Sequence, residues 1–307
     1  MTILLSVLAP VTITDAMLIS STVAETDYAA WSGATTYAIG DLRISTATHR
    51  IYQSLRATNL NNDPTLIANR TGGSPWWLDV GPTNRWAMFD GIVSTATSFT
   101  TTFTLVLHPG FFNSLYLGGL VADTLAITVK DAPGGTVIYS YSGTLEASTP
   151  SDYYEYFYDR FKPATDYLAS GIDAYRTAEL TLTLTKASGL GLIGILALGD
   201  LRELGKTQYG AKAKPKTYSY IKIDEYGNNT IIRRKAATDM TATAWLDLTE
   251  ANTVLDVIKS VLDVPCVWIG TDLAAYSALR VFGLGSGEIS YDHPQDCLLS
   301  INVQGLI

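Results

Sequence analysis

One stretch restricts the fold more than any other: AELTLTLTK, residues 178–186, in which Leu180, Leu182 and Leu184 alternate with threonine. A two-residue period puts the leucines on one face of an extended strand and the threonines on the other. A helix would scatter the same leucines around its axis. Strand-like runs recur through residues 86–205 at roughly 8–12-residue spacing. They are FTTTFTLVL (99–107), TLAITVK (124–130), TVIYSYSG (136–143), YYEYFYD (153–159) and LIGILALG (192–199). DAPGG (131–135) supplies Pro and Gly at turn positions between two of them. The region reads as an antiparallel β-sandwich.

The flanks read differently. Residues 1–25 are apolar and rich in Thr and Ser, with only Asp15 and Glu25 charged, and read as an arm that packs on something, another subunit included. Residues 26–85 hold short strand candidates (35–45 and 50–57), a polar Asn-rich loop (59–75), and Trp31, Trp76 and Trp77, with Trp86 at the edge. So small a unit has little core of its own, and its aromatics must do much of the packing. Residues 206–307 read as a β-rich α+β unit. YSYIKID and TIIRRK flank the turn EYGNN as a hairpin. TEANTVLDVIKSVLDV (249–264) is the one good helix: Val254, Leu255, Ile258, Val261 and Leu262 form one apolar stripe, and Pro265 stops it. Strands PCVWIG, LRVFGL, GEISY and CLLSINVQGL follow. The expected fold is mainly β: an arm (1–25), a small aromatic-rich β module (26–85), a sandwich (86–205) and a C-terminal α+β domain (206–307).

Composition supports strands, with threonine at about one residue in eight and 18 tyrosines. Charged residues are only 16% against 47% hydrophobic, which argues against a disordered chain. The net charge of −8 argues against a whole-chain grip on nucleic acid or acidic lipid. No run of 18 uninterrupted apolar residues suggests a membrane span. The apolar start superficially resembles a signal peptide, but no Lys or Arg precedes Arg43, and Pro10 and Asp15 interrupt it. Cys266 and Cys297 each lie in an apolar run and read as buried small hydrophobes. Charge is uneven along the chain: residues 206–235 carry eight Lys and Arg against two acids, and the residues after 235 carry two against nine. The basic stretch, with Lys212, Lys214, Lys216, Arg233 and Arg234, reads either as a docking surface for subunit contacts or as a solvated ribbon.

Nothing in the sequence assembles a catalytic centre, and no enzyme, metal or cofactor is expected. His49, His108 and His293 have no metal-ligand spacing, and the last two precede Pro as turn residues. GLGLIG (189–194) matches a dinucleotide fingerprint in letters but has no helical phase after it. Asp152, Glu155 and Asp159 sit at the wet edge of a supposed aromatic strand. Asn59, Asn61 and Asp63 have calcium-loop spacing but no acid at the twelfth position.

In residues 30–81 Trp31, Tyr37, Gly40-Asp41, Tyr52, Pro64 and the pair Trp76-Trp77 follow one another in an order and spacing that resemble the chitin-binding type (family five/twelve) of carbohydrate-binding module. That resemblance implies sugar rings laid on exposed aromatic faces. Trp76, Trp77 and Tyr37 are the expected stacking residues, with Trp31 and Tyr52 as lesser contributors that the core also claims. Trp76 and Trp77 point to opposite faces if extended, so one is expected buried and one exposed.

A second resemblance spans the chain. DYAAWS, TTYAIGD, PTNRWAMFDG (82–91), EYGNNTIIRR (225–234), PCVWIG (265–270) and the ending SINVQGLI are similar to a recurrent tail protein of long-tailed bacteriophages. It implies a carbohydrate-binding-like module, a galactose-binding-like sandwich and a terminal β-rich domain. It also implies a virion component of the tail tip or baseplate, assembled in the host cytoplasm and arranged as a ring or trimer. Its partners would be other tail proteins and bacterial surface polysaccharide, with no nucleic acid and no membrane insertion. Two alternatives stay open: an accessory glycan binder of a polysaccharide-degrading system, and a pure assembly scaffold.

Overall fold

The computed structural model describes residues 3–146, 152–158, 163–291 and 294–306. The protein is mainly β. The N-terminal stretch forms β1 (Leu4–Pro10) and β2 (Leu18–Ser21). The small module holds β3 (Thr36–Tyr37), β4 (Leu42–Ser45), β5 (Arg50–Ser54), β6 (Asn59–Leu60) and β7 (Trp77–Pro82). Next come β8 (Thr97–Leu107), β9 (Ser114–Gly118), β10 (Thr124–Lys130), β11 (Val137–Thr144), the short helix α1 (Tyr153–Tyr158), β12 (Asp166–Ala169), β13 (Glu179–Ile193) and β14 (Ile195–Thr207). The remainder holds β15 (Lys212–Thr217), β16 (Tyr220–Ile223), β17 (Asn229–Ile232), β18 (Ala236–Asp247), α2 (Ala251–Ser260), β19 (Cys266–Ile269), β20 (Arg280–Ser290) and β21 (Asp296–Gly305).

The sandwich pairs a five-stranded sheet, β11-β10-β13-β8-β2, with the β12-β9-β14 end of a nine-stranded sheet. Leu180, Leu182 and Leu184 are buried between them with Phe103, Leu105, Leu107, Leu125, Ile127 and Val129, against Leu115, Leu117, Leu196 and Leu198 from the other side. The intervening threonines of β13 stay partly exposed. The two-residue alternation therefore does what its period dictates.

The nine-stranded sheet continues β14-β1-β19-β20-β21-β18-β15, and β18 pairs back onto β14 at Lys206↔Trp245 and Thr207↔Ala244. That return closes six strands into a barrel. Its interior is filled by Leu5, Val7, Leu204, Met240, Ala244, Trp268, Leu299 and Ile301; α2 adds Val254 and Ile258, and Val261 directly after it joins them. Trp268 lies against β20 at Gly285, where a Cβ would come within 2.3 Å of the indole, so no larger residue fits without displacing it. On the opposite face of the same strands a further cluster collects Leu8, Tyr116, Ala197, Val267 and Phe282. Arg280 on β20 reaches Asp166 on β12 at 3.4 Å across this face. Five inter-strand steps in a flat sheet would hold these strands about 24 Å apart. The sheet therefore curls strongly.

Several expectations change. β1 is no peripheral arm but an inner strand between β14 and β19, and β2 is the edge of the five-stranded sheet. The run LLSVLA lacks alternation because both its faces are covered. β14 runs on to Thr207, through the expected boundary at 205/206. Residues 153–158 are helical rather than extended, with Tyr154 stacked on Tyr158 one turn later at 5.0 Å. Asp159 lies outside the described residues, as does His293. LIGILALG is split at Gly194, where the Val93 carbonyl approaches too closely for a Cβ. The segments LRVFGL and GEISY are one strand, β20.

Because β1 is laddered on both sides, removing residues 1–10 is expected to abolish cooperative urea unfolding of both the sandwich and the barrel. A truncated chain with an unchanged midpoint would restore the arm. Cys266 and Cys297 are both free and buried, and burial pushes the Cys266 thiol up to about 12. The native chain should therefore leave a thiol reagent unconsumed at pH 8 until denaturant is added.

Candidate functional site

The small module is built on β4-β5-β7 and the two-stranded pair β3-β6. Tyr37, Tyr52 and Trp77 form its core and are buried completely or nearly so. Tyr37 meets Trp77 edge-on, ring centroids 5.3 Å apart. Each carries its polar atom to a partner, as buried Tyr and Trp require. Trp77 Nε1 donates to the Asn62 carbonyl at 2.7 Å, Tyr52 Oη meets Thr48 Oγ1 at 2.9 Å, and Tyr37 Oη accepts from the Ser32 amide at 2.7 Å. These three rings, expected among the sugar-stacking residues, are thus enclosed by their own module. In so short a unit little else is apolar and buried, Ile44 and Pro64 apart.

Trp31 and Trp76 are the two expected residues that remain partly exposed, each packed against that core. The adjacent pair Trp76-Trp77 divides between surface and core, because successive side chains of an extended segment point oppositely. Arg56 stacks its guanidinium over Trp76 at 4.8 Å. Trp31 Nε1 is buried without a partner among the described residues. Leu78 and Val80 on β7 are exposed. Trp76 thus offers part of an indole beside an arginine with several donors, and Trp31 offers part of a second indole on the same core. Such a surface can stack a pyranose C–H face and hydrogen-bond its hydroxyls. Arg56 carried no signal in the sequence beyond lying within the module.

The loop 59–75 is held by its own amides. Asn59 Nδ2 donates to Ser54 Oγ at 3.1 Å, Asn62 Nδ2 to Asn59 Oδ1 at 2.9 Å, and Asp63 Oδ1 accepts from the Thr65 amide at 2.8 Å. Of the residues with calcium-loop spacing, Asn59 and Asp63 are therefore engaged in loop structure, Asn59 fully buried, while Asn61 is exposed. Among the described residues no group of three or more His, Cys, Asp and Glu is arranged so that it could hold a metal ion.

A polar joint fixes the module on the sandwich. His49 stacks on Trp86 at 3.9 Å, nearly parallel. Its Nδ1 lies 3.0 Å from Glu25 and its Nε2 3.1 Å from Asp15, so both nitrogens face carboxylates of the N-terminal segment. Thr83 Oγ1 also donates to Glu25, at 2.9 Å. His49 is a turn residue, with φ of 55°, and an inter-unit contact as well. His108 faces Glu179 at 3.4 Å, where Lys130 also binds and holds the carboxyl below its ordinary range. GLGLIG lies in β13 and the step to β14, with no helix to meet a phosphate. Lys212, Lys214 and Lys216 lie on β15 at the end of the nine-stranded sheet, and Arg233 and Arg234 directly follow β17. All are exposed except the half-buried Lys216.

No protein-family model matches the chain, and no curated protein matches it. Among solved structures, an F5/8 type C domain of a Bacteroides fragilis protein is similar over 39% of this chain and 80% of that one, at 13% identity and a TM-score of 0.23. No argument rests on a likeness of that size.

The two tryptophans predict opposite behaviour. Trp77→Ala should cost about 3–5 kcal/mol and unfold the module, whereas Trp76→Ala should cost no more than about 2 kcal/mol. Urea melts followed by circular dichroism measure both. Equal losses would place Trp76 in the core too.

Proposed function

We propose that this chain is a structural subunit of a bacteriophage tail tip or baseplate, and that its small aromatic module assists host attachment by binding bacterial surface polysaccharide. The observation that carries the glycan reading is the partly exposed Trp76 on the outside of a closed aromatic core, with Trp31 partly exposed on the same core. An indole on the surface of a module of this size offers a sugar an apolar face at no cost in folding. The resemblance of residues 30–81 to a chitin-binding type module, and of the whole chain to tail proteins, supports the setting. The His49 joint supports it as well, since a module held in one orientation presents its site outward in every copy. Weak single sites repeated around a symmetric assembly gain by avidity. The chain acts by assembly and adhesion rather than by catalysis, within the virion tail.

One observation favours a second reading, a scaffold whose module binds no sugar: Arg56 already occupies a face of Trp76. A sugar must then displace the guanidinium, use the free part of the ring, or bind beside it.

Two substitutions separate the readings. Trp76→Ala should lower retention on host polysaccharide at least about ten-fold, equivalent to ~1.4 kcal/mol, with folding retained. Arg56→Ala should change retention as well, because the guanidinium shares the ring. Unchanged adhesion of particles carrying both would leave the scaffold reading. Electron microscopy of intact particles tests the setting: this chain should appear at the tail tip.

A further inference from the structure

The hairpin β16–β17 stands apart from the rest of the molecule. It is a two-stranded sheet of its own, paired from Tyr220↔Ile232 to Ile223↔Asn229. Two strands alone are marginally stable in water, and both their edges are open. The side chains of residues 220–231 are exposed throughout. The alternation nevertheless sorts them: Ile221, Ile223 and Ile231 share one face and are 62%, 66% and 62% exposed. The tip is preorganised. Asp224 accepts from the Tyr226 and Asn228 amides at 2.9 and 2.7 Å, and Gly227 takes a φ of 83°. Arg233 follows Ile231 at the same two-residue step, and Arg234 folds back over the Tyr220 ring at 5.4 Å. Among the described residues neither arginine pairs with an acid.

The C-terminal barrel carries the complement. Where β18 meets β21, Asp247 lies directly opposite Asp296, and Trp245 opposite Leu298 two residues along, all four on the outer face. Like charges directly across a strand pair destabilise it. Both aspartates are exposed and neither pairs with a cation among the described residues. Trp245 keeps 40% of its surface exposed beside them. Glu250, one turn on, adds a further exposed acid. One surface of this chain is thus apolar with the unmatched Arg233 at its end, and another is apolar with two unmatched carboxylates, the exposed Lys206 lying opposite Trp245 on its β14 side.

We propose that the β16–β17 hairpin of one copy docks on the β18–β21 face of a second copy, Ile221, Ile223 and Ile231 against Trp245 and Leu298, with Arg233 against Asp247 and Asp296. The two surfaces differ, so the contact is heterologous. Repeated head to tail it produces a ring where the rotation closes. This names the partner in the assembly proposed above, but it needs no sugar, so the two readings fail independently.

Sedimentation velocity of the full chain in sugar-free buffer tests it. The native chain should associate. R233E and D247K/D296K should each weaken association at least ten-fold, and I221S/I231S should do the same. Every substituted side chain is exposed, so circular dichroism should be unchanged. Mixing R233E with D247K/D296K should restore association, because each reversed surface then meets its opposite in the other variant. A native chain that stays monomeric over the concentration range overturns the proposal. So does native-like association of D247K/D296K alone, which would mean hairpin-to-hairpin pairing. So does a mixture that stays dissociated while its components are folded.

Discussion

Seven residues hold two cores together. β1 sends Leu5 and Val7 into the barrel and Leu8 into the cluster on the opposite face, each at most 1% exposed. Full burial of each such side chain stabilises by about 1.5–3 kcal/mol. The backbone of β1 is laddered by β14 on one side and by β19 on the other, and β14 is also a sandwich strand. Without β1 the barrel would open and β14 would lose a neighbour along most of its length. The sandwich and the C-terminal unit are therefore one continuous structure rather than two domains joined by a linker.

The small module solves a different problem. Three aromatic side chains stand in for a core, and a loop rich in Asn and Asp becomes ordered by bonding to its own backbone and to β5. That economy leaves Trp31 and Trp76 partly outside. It also leaves the module dependent on its joint to the rest, where His49 is stacked on Trp86 and flanked by Asp15 and Glu25. The segment that follows β1 thus serves the module too. The two proposals use different parts of the chain: adhesion would use the module, and assembly the hairpin and the barrel face.

Much of this was legible in residue order. The Leu/Thr alternation of β13 marked its buried face, DAPGG marked the β10–β11 turn, EYGNN marked the hairpin, and the apolar stripe of 249–264 marked α2. The aromatic module was legible as a unit. Which of its rings were core was not, since Tyr37, Tyr52, Trp31 and Trp77 are equally aromatic, and only the pairing of β3 with β6 and of β5 with β7 decides which are enclosed. Residues 153–158 misled because consecutive aromatics fit a strand by propensity, while propensity yields to local context.

By itself, then, the sequence determined the class, many of the strands but not β9, β12, β15 or β18, the turns, and the unequal charge of residues 206–235 and those that follow. These depend on periods of two or 3.6 residues and on turn chemistry, all local in the chain. Tertiary structure decided the rest: the place of β1, the closure of the barrel by Lys206↔Trp245, the meeting of Asp166 with Arg280, and the division of Trp76 from Trp77. Each of these joins residues whose pairing no local pattern records, because register between distant strands is set by which faces must be buried together.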